Sequence, residues 1–378
     1  MKIERPEGRN HPLRIALLST PRSGNTWFRR LVATMYQLQE RAEHSPEALD
    51  WSTLPERVIL QLHWRYQEPL ISLLERHQFR VVVLSRHPLD LLISILHFAA
   101  HEAGTARWLE GEGGDERTIL GALPRSSALL EYATGPRAAA LMSVTHEWRQ
   151  AEGSYGLRYE DLVHDPAAEL RRLALALDQP ASPEAISEAI AVNSMVKLRE
   201  GSRNQHFWQG RPGLWKDLFP AATARRIAAR HHPILEAGGY ECDPDEALTD
   251  GQADCRWLQL EIEASQAALS RTKTQLGTLQ NALGETQAKL AASQSLLSET
   301  RTQLAASQSH LNETRAQLET SQRFLVETQT QLADTSARLD DFESLGPTVI
   351  EVARRLRRTV SRHPRIASAL KRIARRSA

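Results

Sequence analysis

The chain has 378 residues, 41% hydrophobic and 25% charged, enough for a globular domain with extensions. Its formal charge of +1 conceals an asymmetry. From Gly346 to Ala378 ten Lys/Arg stand against the single acid Glu351, a local +9 that leaves −8 on the other 345 residues. The two cysteines, Cys242 and Cys255, exclude a disulfide framework and fit a reducing compartment. No apolar run approaches the roughly eighteen residues of a transmembrane helix. The polar start Met1-Lys-Ile-Glu-Arg-Pro6 lacks the apolar centre of a secretory signal, so a cytoplasmic location is expected, with the inner membrane surface as an alternative for the basic tail.

The first predicted strand, Arg14–Ser19, runs into Ser19-Thr-Pro-Arg-Ser-Gly-Asn-Thr-Trp27 and then a helix over Thr26–Leu38. A strand, a tight polar turn and a helix start form an anion cradle, because the first N–H groups of a helix have no internal partners and its dipole favours negative charge there. Gly24 permits close approach of a ligand to the backbone, Arg22 adds a cation, and Ser23 and Thr26 add hydroxyls. Further strands are expected at Val58–Leu62, Arg80–Ser85 and Gly156–Tyr159. Helices are expected at Glu68–His77, Pro88–Ala100, Ser143–Glu152, Pro166–Leu177, Pro183–Asn193 and Ala221–His231, where Pro88, Pro166 and Pro183 suit first-turn positions. Residues 1–250 thus read as an α/β domain with a central parallel sheet flanked by helices. The segments Gln39–Pro55 and Gly104–Gly135 read as variable loops, the second a Gly-rich lid or substrate loop.

Beyond this domain the composition turns to Gln, Thr, Ser, Ala, Leu and Glu. Ile262, Leu269, Leu276, Leu283, Leu290, Leu297, Leu304, Leu311, Leu318, Leu325, Leu332 and Leu339 recur every seventh residue. This pattern predicts a left-handed coiled coil over 256–342 and self-association through it, although the second seam, mostly Thr or Ser, leaves oligomer number open. The tail 346–378 carries Arg354-Arg-Leu-Arg-Arg358 and Lys371-Arg-Ile-Ala-Arg-Arg376 among apolar residues at helical spacing, broken at Pro364. Two basic amphipathic helices suit an anionic membrane surface, and the absence of interleaved aromatics argues against nucleic acid.

Four other segments bear on the cradle. Arg86 stands at the end of a strand and Ser94 two turns into the next helix, a placement that could hold a second phosphate; Asp90 is the local carboxylate that could instead pair with Arg86. The strand Val58–Leu62 ends at His63, a candidate general base. Tyr159 opens Tyr159-Glu-Asp-Leu162 and could reach a base or sugar. In Phe207–Phe219, Gly210, Gly213 and Arg211 suit a loop closing over a phosphorylated ligand, anchored by Trp215 and Phe219.

In order and spacing these segments resemble the sulfotransferases that use 3′-phosphoadenosine 5′-phosphosulfate (PAPS). Pro21-Arg-Ser-Gly-Asn-Thr-Trp27 matches the family's P-[KR]-S-G-x-T-W loop. Arg86 to Ser94 match its R-x-P-x-D-x-x-x-S segment, and Tyr159-Glu-Asp-Leu162 with Pro166 matches its Y-E-D-L…P segment. Gly210, Gly213, Trp215 and Lys216 match its closing loop, and the K-T-H strand end is met only at His63. The resemblance spans residues 14 to about 231 and implies the P-loop NTPase-like sulfotransferase fold. It implies that Arg22, Ser23, Gly24, Asn25, Thr26 and Trp27 hold the 5′-phosphosulfate, with Trp27 stacked on adenine. It further implies that Arg86 and Ser94 bind the 3′-phosphate, that Tyr159 contacts adenine, that His63 takes the acceptor's proton, and that no metal is required. The acceptor would be a hydroxyl of a glycan, lipid or small molecule. Two departures stand out: Gln61 replaces a cation, shifting electrostatic load to Arg22, and Trp208-Gln209 replace Arg-Lys, leaving Gly210 with Arg211 or Arg203 to meet the 3′-phosphate. A P-loop phosphotransferase or hydrolase and an inactive coiled-coil scaffold are the alternative readings.

Overall fold

The computed structural model describes residues 11–101, 103–201, 207–344 and 346–362, with 365 and 368. The chain divides into two compact units, Met1–Thr272 and Lys273–Ala378.

In the first unit five parallel strands form a sheet of order β2-β3-β1-β4-β5. They are β1 (Leu13–Leu18), β2 (Gln39–Glu43), β3 (Arg57–Leu62), β4 (Phe79–Ser85) and β5 (Tyr155–Arg158). Strand alternation sends Ile15, Leu17, Ile59, Val82, Leu84 and Leu157 to one face and Ala16, Leu18, Val58, Leu60, Leu62 and Val83 to the other. Helices α1 (Asn25–Tyr36), α7 (Pro166–Ala176) and α8 (Pro183–Val192) cover the first face. Helices α2 (Glu68–Arg76), α3 (Pro88–His101) and α5 (Pro136–Gln150) cover the second. Because both faces are buried, β1, β3 and β4 are nearly uniform apolar runs, as a covered parallel sheet requires.

Four of the strands fall where the sequence places them, within a residue or so. The fifth does not: Gln39–Glu43, expected to be loop, is an edge strand paired with β3 although its residues are largely exposed. The expected lid is also more structured than anticipated, with 3-10 turns at Ala103–Gly111 and Glu116–Ile119 and helix α4 at Ser127–Thr134. A buried ion pair, Arg137 Nε to Glu116 Oε1 at 2.8 Å, fastens it, with Tyr132 donating to the same carboxylate at 3.0 Å and Arg137 to Trp108 O at 3.0 Å. Helix α5 begins seven residues before the predicted Ser143. Helices α6 (Tyr159–His164), α9 (Met195–Gly201), α10 (Ala221–Arg230) and α11 (His232–Gly238) complete the unit's shorter elements.

Helix α12 spans Asp250–Ser344, and its opening turns belong to the first unit, beyond the expected domain end at 250. Ala253, Trp257 and Ala264 are buried there, and Arg125 pairs with Asp254 at 2.7 Å. In the second unit the heptad leucines from Leu276 to Leu339 are exposed along one helix. Helix α13, Pro347–Arg362, supplies the first predicted basic amphipathic segment; the second, around 366–376, lies outside the described residues. No helix among the described residues is long and apolar enough to cross a membrane.

Candidate active site

The C-terminal ends of parallel strands, where the connections diverge on either side of a central strand, are where ligands collect in such sheets. Here a cavity of about 660 Å³ opens at that edge, inside the range of about 300–1,000 Å³ typical of small-molecule sites. Pro21, Arg22, Gly24, Asn25, Thr26 and Trp27 line it from the β1–α1 turn, Gln61 and His63 from the end of β3, and Arg86 and Ser94 from the β4–α3 junction. Tyr159 and Gly210 line it as well. Of the cradle residues Arg22 to Trp27 with His63, Arg86, Ser94, Tyr159, Gly210 and Arg211, all but Ser23 and Arg211 line it.

The turn leaves the helix start open. Gly24 caps α1 with φ 100° and ψ 14°, and no side chain caps the helix. A Cβ at Gly24 would lie 2.5 Å from the Tyr159 ring, so both backbone angle and space demand glycine. Arg22, at φ 71°, also adopts the left-handed region. Its Nε donates to Ser94 Oγ at 3.2 Å and its guanidinium lies 4.2 Å from the Phe98 ring centroid. Arg86 Nη1 donates to Arg22 O at 3.1 Å and stacks 4.8 Å over Tyr159. Arg22, Ser94 and Arg86 are thereby linked into one continuous wall. Ser23 Oγ, Asn25 Oδ1 and Arg86 Nε are buried without a partner in this structure, and buried polar atoms of this kind call for a ligand or water.

His63 is 6% exposed. Its Nδ1–H donates to Ser19 O at 2.7 Å, which leaves the lone pair on Nε2, and the Gln61 amide N–H donates to that nitrogen at 3.1 Å. Burial, reinforced by His44, Arg29 and Arg22, outweighs the Ser19 bond and lowers the imidazole pKa from 6.5 to about 4. The ring is accordingly neutral near pH 7, the form a general base needs.

Arg29 is a residue the sequence reading missed. Its Nη1 donates to Gln61 Oε1 at 2.6 Å and its Nε to Glu40 Oε2 at 2.9 Å, on the unanticipated strand β2. Arg29 and Arg30 line the cavity beside Arg22 and Arg86, and so does His44, just past β2. The one available signal was spacing: Arg29 lies one turn beyond Asn25, on the helix that opens the cradle.

Other assignments need revision. Arg211 does not line the cavity; it is exposed and pairs with Asp217. Asp90 accepts from Gly213 N at 2.6 Å and Trp215 N at 2.9 Å and so ties the closing loop to α3. Trp215 and Phe219 are buried as anchors. Tyr159 spends its hydroxyl on Gly210 O at 2.7 Å, bracing the cradle against the closing loop. Trp27 donates to Asn193 O at 3.0 Å and meets Tyr159 edge-on at 6.1 Å, with part of its ring lining the cavity. Arg203 lies outside the described residues. The fold also assembles a cluster that sequence spacing hid, His97, His101 and Glu261.

Residues 12–232 match the family described as Sulfotransferase domain. No curated protein matches the chain. Among solved structures, a mouse sulfotransferase complexed with PAP is 16% identical, with a TM-score of 0.46 and coverage of 60% of this chain and 84% of that one. Retinol dehydratase in complex with androsterone and inactive cofactor PAP is 17% identical, with a TM-score of 0.43 and coverage of 61% and 83%. The sulfotransferase domain from the curacin biosynthetic pathway is 17% identical, with a TM-score of 0.34 and coverage of 61% and 98%. The family match runs from the start of β1 to the start of α11, more than half the length, and contains every residue that lines the cavity; the chain belongs to the sulfotransferase domain family.

Proposed function

We propose that this chain moves a sulfuryl group from PAPS to an acceptor hydroxyl, with His63 as general base. The observation that carries the reading is the convergence of an uncapped helix start, four arginines and a neutral imidazole on one cavity. The donor is anionic at both ends, which matches the continuous wall of Arg22, Ser94 and Arg86. The acceptor oxygen attacks sulfur, the bond from sulfur to the bridging phosphate oxygen breaks with its electron pair left on the phosphate, and the acceptor proton passes to His63 Nε2. As in phosphoryl transfer, rate comes chiefly from positioning and from charge aimed at the oxygens that become more negative.

Position 61 carries no cation, and Arg29 supplies the positive charge from the neighbouring helix through its bond to Gln61. Gln61 itself holds the His63 lone pair until an acceptor hydroxyl takes its place. The acceptor class is a glycan, lipid or small molecule bearing a hydroxyl.

Calorimetry with adenosine 3′,5′-bisphosphate against ATP–magnesium tests the donor: tighter binding of the bisphosphate is expected, and preference for ATP would overturn the reading in favour of a phosphotransferase. Bisphosphate binding without transfer to a broad acceptor panel would mark a scaffold instead.

The exposed heptad stripe of α12 fits a second copy of the chain, and α13, with Val349, Val352 and Leu356 exposed among arginines, fits an anionic bilayer from the cytoplasmic side. Co-sedimentation with vesicles containing phosphatidylserine should fall when the chain ends at Leu345; equal binding would remove the tail's role.

A further inference from the structure

Behind the basic wall, on the side of α3 that meets α12, stands a second constellation that sulfuryl transfer does not use. His97 and His101 are one helical turn apart on α3, so both rings project from one face. Glu261, on the opening turns of α12, reaches both: His97 Nδ1 is 2.6 Å from Oε1 and His101 Nε2 is 3.1 Å from Oε2. The two ring centroids are 4.6 Å apart, and one ligand atom from each residue falls within 4.8 Å of the others.

We propose that His97, His101 and Glu261 form a binding site for a divalent transition-metal ion, with zinc as the best fit, which fastens α12 to the catalytic domain. Two imidazoles and one carboxylate are a ligand set that tetrahedral zinc accepts, with the fourth position open to water. Tetrahedral bonds of about 2.0–2.1 Å put ligand atoms roughly 3.3 Å apart. The two hydrogen-bonded pairs, on separate carboxylate oxygens, lie within about 1 Å of that. The widest separation, within 4.8 Å, closes by about 1.5 Å through rotation of the partly exposed His101 and Glu261 side chains. The surroundings suit such an ion. The His97 side chain is 0% exposed while those of His101 and Glu261 are 24% and 21% exposed, which gives a fixed inner ligand and an approach from solvent. The His97 ring is further held by Trp208, stacked at 3.9 Å and 9°. Trp208 in turn meets Trp257 of α12 at 5.9 Å.

The site connects three elements. Helix α3 carries Ser94, one turn before His97, and Phe98, the ring under Arg22. The closing loop carries Trp208 at the cavity wall. Helix α12 carries Glu261 and then the heptad repeat. An ion here has a positioning role: it holds the wall of the donor cavity against the root of the long helix and takes no part in the transfer step. Loss of the ion therefore raises the donor's KM more than it lowers kcat.

The test uses the full chain, stripped with chelator and titrated with zinc chloride by calorimetry and by thermal unfolding. One equivalent should bind, and Tm should rise by roughly 5 °C or more at a hundredfold excess over Kd. His101→Ala and Glu261→Gln, both partly exposed and tolerable to the fold, should each weaken zinc binding by at least about 100-fold and abolish the Tm shift, since each leaves two ligands. Saturable binding that both variants retain would place the ion elsewhere and overturn the proposal, as would the absence of stoichiometric binding to the parent chain. Calorimetric affinity for adenosine 3′,5′-bisphosphate at saturating zinc, measured in parallel, judges the donor site separately from the metal site.

Discussion

The amide nitrogen of Gln61 lies 3.1 Å from His63 Nε2, on the one lone pair the imidazole has to offer. Gln61 cannot present its oxygen there, because Arg29 donates to that oxygen at 2.6 Å. A residue that looks in the sequence like the loss of a cation is thus the middle of a hydrogen-bonded chain from Arg29 to the His63 imidazole. If Arg29 provides the charge that position 61 lacks, Arg29→Ala should lower kcat by about 10²–10³-fold, the usual cost of removing one such donor, with a smaller effect on bisphosphate affinity. The double variant Arg29→Ala/Gln61→Lys should recover part of this loss by placing an ammonium where the amide stood. Turnover assays on the single and double variants decide it: no recovery, with Tm unchanged, would reassign Arg29 to holding Glu40.

His63→Ala should leave bisphosphate binding near normal and remove transfer, because the imidazole is hydrogen-bonded to the cradle through the backbone oxygen of Ser19 and not through a helix-start N–H. Unchanged turnover would dispose of the base assignment.

The same imidazole predicts an unusual pH profile. Its pKa is lowered to about 4, first by burial and then by His44, Arg29 and Arg22. The neutral, reactive form therefore persists in the free enzyme well below 6.5, and the acid limb of kcat/KM should lie near 4. Bound polyanionic donor stabilises the imidazolium, so the acid limb of kcat should shift upward from that value. The sign for stability follows: the folded state holds the neutral ring, so its contribution is full above 6.5 and is lost as pH falls from 6.5 toward 4. An acid limb of kcat/KM at 6.5 would mean that His63 is solvated or is not the base.

Gly24→Ala should destabilise by roughly 2–5 kcal/mol, since a methyl group meets both the left-handed backbone and the Tyr159 ring at 2.5 Å. Gly153→Ala is the control: its φ is 75° with open space around the missing Cβ, so only the backbone cost of about 1–2 kcal/mol applies. Denaturant midpoints for the two variants separate ring clash from backbone cost. Equal losses would mean that Tyr159 yields freely and does not brace the cradle.

What could be read from residue order and what could not divides along physical lines. The strands β1, β3 and β4 announce themselves because a sheet covered on both faces needs uninterrupted apolar runs. Gln39–Glu43 gives no such signal: its place rests on backbone pairing with β3, and its side chains are largely exposed. The cradle was legible because a strand, a glycine turn and a helix start occupy adjacent positions in the chain. Arg29 was not, because the bond to Gln61 depends on how α1 leans over β3, and nothing in the helical pattern records that angle. The surroundings of Arg211 were not legible for a related reason: the closing loop is held by Asp90, 121 residues earlier in the chain, and the arginine pairs with Asp217. His97 and Glu261, separated by 164 positions, meet only through packing of α12 on α3.

The exposed leucines of α12 lead to the last prediction. Leu290, Leu297, Leu304 and Leu311 occupy one seam at seven-residue spacing, and each is more than half exposed on a single chain. Burying such side chains against a partner gains about 1.5–3 kcal/mol each when complete, more than enough over ten heptads to outweigh the mostly Thr and Ser residues in the second seam. Placing one charge in the seam should therefore weaken association, and two should abolish it, because a carboxylate opposite its own copy is both desolvated and repelled. Leu297→Asp/Leu304→Asp is expected to convert the full chain to a monomer in sedimentation equilibrium. The exposed face offers the control: Gln303→Asp, off the seam, should leave the oligomer intact. A parent chain that sediments as a monomer at micromolar concentration would show that α12 stands as a solitary helix, and the heptad leucines would then need a different partner.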